Sequence, residues 1–396
     1  MGPLNLVVLP YLSRRYPDQE LGELLFLITI AYFVVSAIGA PLSMSLYRNY
    51  NTKLVDYPCY VIRLLKYMIV PYIVIMTLAA ISFQNIKNLF DIAMNEADML
   101  WFLTYIFIMI IDNVLISTMY LKYEFGKTLV SRTVYMLCVF MIPILYKMTG
   151  LWFLSFAIAP IVSVMVTLWF IMTGSNDSID EKVYLGITSK VCHNYLGFFL
   201  ACLVSQLLVY MDRWIIVAFD NQKSEVAYFT VAIQACSLIL FPLEKLSEFI
   251  APQIANMNNI EEMTRKYVFK VMALTLSSMV YVVTFGTLFG YVYFKLFKST
   301  YFEHGWKYFI ILIACNSLYP VYIYSRNIII KFYSNSSLIV PNLVAIILQL
   351  SISTWLISLG YKVEAVSIGK GASIVALSLS VLVLLYLPVR KKRKAM

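Results

Sequence analysis

The run LLVYMDRWIIVAF, Leu207 to Phe219, carries Asp212 and Arg213 side by side inside an apolar stretch of helix length. Asp112, Glu244, Lys245, Glu248 and Lys370 lie in other long apolar runs. On insertion scales a charge at the centre of a membrane helix costs about 2.5–3.5 kcal/mol, so each of these residues needs a ligand or a partner. The cations need an anionic ligand or partner, and the planar arginine fork donates paired hydrogen bonds to carboxylate and phosphate oxygens alike. The carboxylates suit ion coupling or the holding of neighbouring cations. Adjacent helix positions point about 100° apart, so Asp212 and Arg213 are expected to face different neighbours rather than each other. Arg213 is assigned to a cavity, with Asp212 bound to another helix or a lobe contact. The structural alternative is an interhelical ion pair, or an arginine reaching to the membrane interface.

The other charges divide in the same way. Glu244 and Glu248 share a helix face and form a candidate proton-coupling pair, unless Lys245 simply neutralises Glu248. Asp112, beside Asn113, stands mid-span and is a candidate for a cavity or coupling role. Lys370, between Gly369 and Gly371, is about 10 Å into the last span at 1.5 Å per residue, within reach of the interface. Arg63 and Lys66, one turn apart at the start of an apolar run, fit an anion-receiving site at the inner mouth. They serve the positive-inside rule equally well, and Arg326 shares that ambiguity.

These residues must be positioned by membrane helices. The 396-residue chain is 61% hydrophobic and 13% charged, with mean hydropathy +0.79. A soluble domain carries roughly 25% charge, so this chain lacks the polar surface to stay in water. Apolar runs of membrane-crossing length recur at Leu21–Leu46, Cys59–Ser82, Asp98–Tyr120, Leu129–Lys147, Leu151–Met172, Val191–Phe219, Val226–Ile250, Tyr267–Phe297, Trp306–Asn327, Ser337–Leu359 and Val363–Leu387. A shorter fragment, Pro3–Ser13, precedes them and is read as the end of a truncated first helix. The fold class expected is an all-α polytopic membrane protein with about 12 helices.

The net charge of +10 is first a topology signal. Alternating the loops places about 19 Lys/Arg on the side of the RKKRK tail, about 9 on the other and about 3 within spans. That excess assigns the C-terminus to the cytoplasm. No zinc-finger, RNA-binding or P-loop pattern occurs, so no nucleic-acid partner is expected. The six cysteines have no CxxC spacing and read as small buried hydrophobes, and two histidines make a His-based metal site a poor reading. No metal or cofactor is expected. The loops leave no room for a soluble catalytic domain, so the chain reads as a non-enzyme.

YPDQELGEL leads into a span ending APLSMSLY, and FDNQKSEVAYF leads into one ending FPLEKLSEF. Such matching suggests two parallel six-helix halves. The expected lobes are 1–173 and 190–388, joined by a cytoplasmic linker at 174–189 and followed by a basic tail at 389–396. The runs LPYLSRRYPDQELGELLFL, IGAPLSMSLYRN and YMDRWIIVAF together resemble the polysaccharide-export branch of the multidrug/oligosaccharidyl-lipid/polysaccharide flippases. Within that branch the chain is most similar to the Wzx-type O-antigen flippases.

The resemblance implies a V-shaped, two-lobe transporter in the bacterial inner membrane. Its implied substrate is an oligosaccharide repeat unit on undecaprenyl pyrophosphate, moved from the cytoplasmic to the periplasmic leaflet. Membrane lipids, a polysaccharide polymerase and chain-length machinery are the partners that follow. Such a substrate needs a cationic cavity that is open sideways, which Arg213, Lys245 and Lys370 would supply. A drug or cation antiporter of the same superfamily is the first rival, and those three cations count against it. A polysaccharide polymerase or ligase is the second, and the long external loop it would need is missing.

Overall fold

The computed structural model describes residues 7–48, 73, 77, 81, 95–121, 124–174, 181–220, 223–255, 265–334 and 336–393. Within them every regular element is a helix. In chain order these are α1 (Leu9–Arg15), α2 (Asp18–Arg48), α3 (Glu96–Leu121), α4 (Phe125–Phe140), α5 (Ile142–Thr149), α6 (Trp152–Gly174) and α7 (Glu181–Asp220). There follow α8 (Lys223–Ala255), α9 (Arg265–Phe294), α10 (Ser299–Asn316), α11 (Tyr319–Phe332), α12 (Ser336–Ser358) and α13 (Val363–Arg393). Eight are long and apolar enough to cross a membrane, and two bent pairs bring the number to as many as ten. The chain is a multi-pass membrane protein. The expected span Cys59–Ser82, with Arg63 and Lys66, lies outside the described residues apart from isolated backbone positions.

Two expected spans are broken. Leu129–Lys147 divides at Met141 into α4 and α5, which bend by 46°. Trp306–Asn327 begins earlier, at Ser299, and divides near Ser317 into α10 and α11, bent by 50°. Pro143 and Pro320 sit in the first turn of α5 and α11. There proline's missing N–H has no partner to lose, whereas a turn later it would break the ladder, so each proline starts a new helix.

Contacts group the chain into two compact units, one of residues 30–202 and one of residues 1–29 with 203–396. Both divisions fall inside helices, α2 and α7.

In the unit of 30–202, α6 packs against α3, α4 and α5. Helix α6 begins with an N–H donor, that of Phe153, bonded to Asp98 Oδ1 of α3 at 2.8 Å. A carboxylate is favoured there because the first backbone N–H groups of a helix are unsatisfied and carry partial positive charge. Beside this cap, Phe102 meets Phe153 edge-on at 4.7 Å. At Gly39 of α2 an added Cβ would make an ordinary contact with Ile110 of α3, at 3.8 Å, so the packing there does not depend on the glycine.

In the other unit, α13 packs on α10, α11 and α12, and α8 on α9, α10 and α11. Lipid is as apolar as leucine, so helices here hold together by close packing and polar contacts rather than by escape from water. Two glycines make this possible. A Cβ on Gly22 would stand 1.9 Å from the Lys223 carbonyl oxygen, and one on Gly369 would stand 2.1 Å from Ser353 Oγ. Between α9 and α10 the space is filled by Phe294, Trp306 and Phe309, whose ring centroids lie 5.3–5.9 Å apart. Such aromatic pairs contribute roughly 0.5–1.5 kcal/mol each beyond area.

Candidate functional site: buried charge clusters of two helical units

Asp212 and Arg213 lie on α7, and Lys370 comes to them from α13. Asp212 is wholly buried, Arg213 is 4% exposed and Lys370 is 8% exposed. Arg213 Nη1 donates to Asp212 Oδ1 at 3.0 Å and to the Val209 carbonyl at 2.9 Å. Lys370 Nζ stands 3.1 Å from Asp212 Oδ2. It also donates to the carbonyls of Leu208 at 2.5 Å and Val209 at 3.1 Å. The expectation that Asp212 and Arg213 do not pair is therefore corrected. Their Cα–Cβ bonds do diverge, but the arginine chain is long enough to fold back along α7 toward Val209. Arg213 and Lys370 are both held by Asp212 and by carbonyls of α7.

The cluster is unbalanced. Two cations share one carboxylate, leaving a formal charge of +1 in a buried site. Arg213 Nε is buried without a hydrogen-bond partner among the described residues. The Tyr210 ring lies 5.6 Å from the guanidinium carbon, a cation–π distance that offsets part of the desolvation. Close by on the same two helices, Ile215, Ile216 and Phe219 of α7 and Val363 and Val366 of α13 line an apolar pocket with Lys362.

The unit of 30–202 has its own cluster. Asp112 of α3 is 1% exposed, and its Oδ2 is 2.8 Å from Arg132 Nη2 of α4. Ser163 of α6 donates to Asp112 Oδ1 at 2.7 Å. Ser131 Oγ then joins Ser163 Oγ at 3.1 Å and Thr167 Oγ1 at 2.7 Å. Three helices are tied by one carboxylate and its hydroxyl chain. Sequence reasoning missed Arg132. The signal was present, since a mid-span aspartate demands a cation and Arg132 falls just inside an apolar run.

On α8, Lys245 and Glu248 pair at 2.7 Å and remain partly exposed, at 41% and 38%. Glu244 is exposed and sits within electrostatic reach of Arg326 on α11. The two helices are pinned beside it by Asn327 Nδ2, which donates to Ser247 Oγ at 3.0 Å. Thus Glu244, Lys245, Glu248 and Arg326 gather into an exposed group of both signs. Arg213 and Lys370 form a separate, buried one.

A fourth polar group, which the sequence did not reveal, joins the start of α2 to α8 and α10. Asp18 accepts from Tyr228 Oη at 2.7 Å and Thr300 Oγ1 at 3.2 Å, with Lys298 at 3.4 Å. Glu225 accepts from Tyr308 Oη at 2.8 Å, and Glu23 holds Lys223 at 3.4 Å. Lys307 and Glu364 also pair, joining α10 to α13. Among the described residues no group of His, Cys, Asp and Glu is arranged to hold a metal ion.

The fold is that of a known class of membrane transporter. No protein-family model matches the chain, and no curated protein sequence matches it significantly. Solved structures do. An outward-facing multidrug resistance MATE family transporter of the MOP superfamily aligns with TM-score 0.72 at 14% identity, covering 100% of this chain and 94% of that one. An inward-facing structure carrying the same family description aligns with TM-score 0.70 at 14% identity, covering 99% and 95%. A mutant form of the Vibrio cholerae MATE transporter VcmN gives TM-score 0.70 at 13% identity, covering 98% and 95%. The chain has the MATE fold along nearly its whole length, as the all-helical reading expected.

Proposed function

We propose that this chain is a transporter that flips a lipid-linked oligosaccharide, carried on undecaprenyl pyrophosphate, from the cytoplasmic to the periplasmic leaflet. The MATE fold supports a transporter, and the buried cluster of Asp212, Arg213 and Lys370 supports the anionic substrate. It is this cluster that carries the reading: two helices bring two cations to one carboxylate, so the surplus charge is positive. A pyrophosphate offers what these donors take, several oxygens with negative charge. A cationic drug would be repelled by the same surplus.

The test is a cell whose surface polysaccharide depends on this protein. Arg213→Ala is expected to abolish the polysaccharide while the protein still reaches the membrane, and Arg213→Lys to restore it in part. Normal polysaccharide with Arg213→Ala would sink the assignment.

The second reading is a MATE-like antiporter of drugs or cations. It is favoured by the matched structures described as multidrug resistance transporters, and by one of a MATE transporter, ClbM, in complex with Rb+. That reading puts the chemistry on carboxylates such as Asp112, Glu244 and Glu248. Drug resistance conferred by the wild type and lost with Asp112→Asn, with polysaccharide unaffected, would favour it.

A further inference from the structure

We infer that Asp212 is a built-in stand-in for the substrate's anion: it occupies Arg213 and Lys370 until the headgroup replaces it. The inference rests on the reading of those two cations as the headgroup's ligands. Three observations carry it. Each carboxylate oxygen faces one cation: Oδ1 accepts from Arg213 Nη1 at 3.0 Å and from the Arg213 backbone N–H at 2.8 Å, whereas Oδ2 lies in ion-pair distance of Lys370 Nζ, at 3.1 Å, without a hydrogen bond. Neither cation has an anion to itself, because the cluster holds two cations for one carboxylate. Arg213 keeps a buried Nε–H without an acceptor, so its donor set is incomplete with Asp212 alone.

A stand-in anion solves a problem that every transporter of a multiply charged ligand meets. Two desolvated cations on adjacent helices would hold a pyrophosphate too tightly to let it go. Passage requires binding strong enough to enter and weak enough to leave. If the ligand must first displace a carboxylate, the energy of the internal pairs is subtracted from its affinity. On release the carboxylate returns, and the cations are never left bare. The neighbouring carbonyls of Leu208 and Val209 serve the same end, holding the Lys370 ammonium in place through the exchange.

Affinity and transport then move in opposite directions when the carboxylate is removed. The probe is inorganic pyrophosphate, titrated against the full-length protein in nanodiscs. Asp212→Asn is expected to bind it at least about tenfold more tightly than the wild type, a gain of roughly 1.4 kcal/mol, while flipping substrate more slowly. Because Asp212→Asn leaves two buried cations without a counter-charge, a second variant guards against loss of folding. The double variant Asp212→Asn with Lys370→Gln keeps the +1 balance of the wild type and is expected to show the same tightening at Arg213. Adding Arg213→Ala to that double variant should abolish it. Unchanged or weaker pyrophosphate binding in both Asp212 variants would overturn the stand-in role. If Arg213→Ala in the wild-type background leaves pyrophosphate binding intact, the underlying assignment of Arg213 fails instead, and the two failures are told apart by that arm.

Discussion

Lys370 of α13 and Asp212 of α7 place Nζ and Oδ2 3.1 Å apart, both buried, with Arg213 on the carboxylate's other oxygen. Removing the shared anion should therefore cost more than removing one cation. Deleting one partner of a buried pair typically costs about 3–5 kcal/mol, because a charge is left uncompensated. Asp212→Ala is expected to reach that range. Lys370→Met should cost less, since Arg213 still pairs with Asp212. Thermal unfolding in nanodiscs gives the order, and a Lys370→Met protein less stable than Asp212→Ala would contradict it.

Asp112 and Arg132 join α3 to α4 at 2.8 Å, with Ser163 of α6 on the other carboxylate oxygen. A double-mutant cycle of Asp112→Asn and Arg132→Gln should give a coupling energy of at least about 1 kcal/mol, within the range for residues in one network. Ser163→Ala should cost about 1.5 kcal/mol alone, as the loss of a hydrogen bond to a charged group. Additive single effects would show that the pair contributes nothing to the unit.

Gly22 sits where α2 and α8 touch through backbone, and Gly126 faces open space. Gly22→Val must push the Lys223 carbonyl aside, an overpacking that costs about 1–3 kcal/mol or more. Gly126→Ala should leave stability unchanged or slightly raised, since alanine favours a helix. Comparing the Tm of the two variants checks the close approach, and a tolerated Gly22→Val would refute it.

Lys245 and Glu248 are paired at 2.7 Å yet partly exposed. Where such a pair faces water it is worth about 0–1 kcal/mol, so a Glu248→Gln variant with unchanged Tm would place the pair in an aqueous cavity rather than against lipid. If Lys245 handles substrate, Lys245→Gln lowers transport without lowering Tm. Loss of both together would make it structural.

Much of the fold was open to reading from the chain alone. The apolar runs that became α2, α3, α6, α8, α9 and α12 agree with the observed helices to within a few residues, because crossing a bilayer leaves a long unambiguous signal. The breaks at Met141 and Ser317 were legible in principle from Pro143 and Pro320. Hydropathy averages across them, and that averaging hid both.

The site was legible only as a set of residue types. Spacing identified Asp112, Asp212, Arg213 and Lys370 as charges needing partners, but pairing depends on how helices far apart in the chain come together. Hence Arg132 was missed, and Asp212 and Arg213 were kept apart by a rule about Cβ directions. That rule fails for a side chain as long as arginine. The Asp18 and Glu225 groups were invisible for a related reason. They lie at helix ends, where a carboxylate needs no special account until tyrosine hydroxyls are found on it.

An anionic lipid-linked oligosaccharide as cargo is tested most directly by flipping in proteoliposomes that hold the purified full-length chain and a fluorescent undecaprenyl-pyrophosphate-linked oligosaccharide. Wild-type protein is expected to move the label across the bilayer, and Arg213→Ala is expected not to. A wild type that leaves the label in its original leaflet, while exporting a cationic dye from the same vesicles, would contradict it.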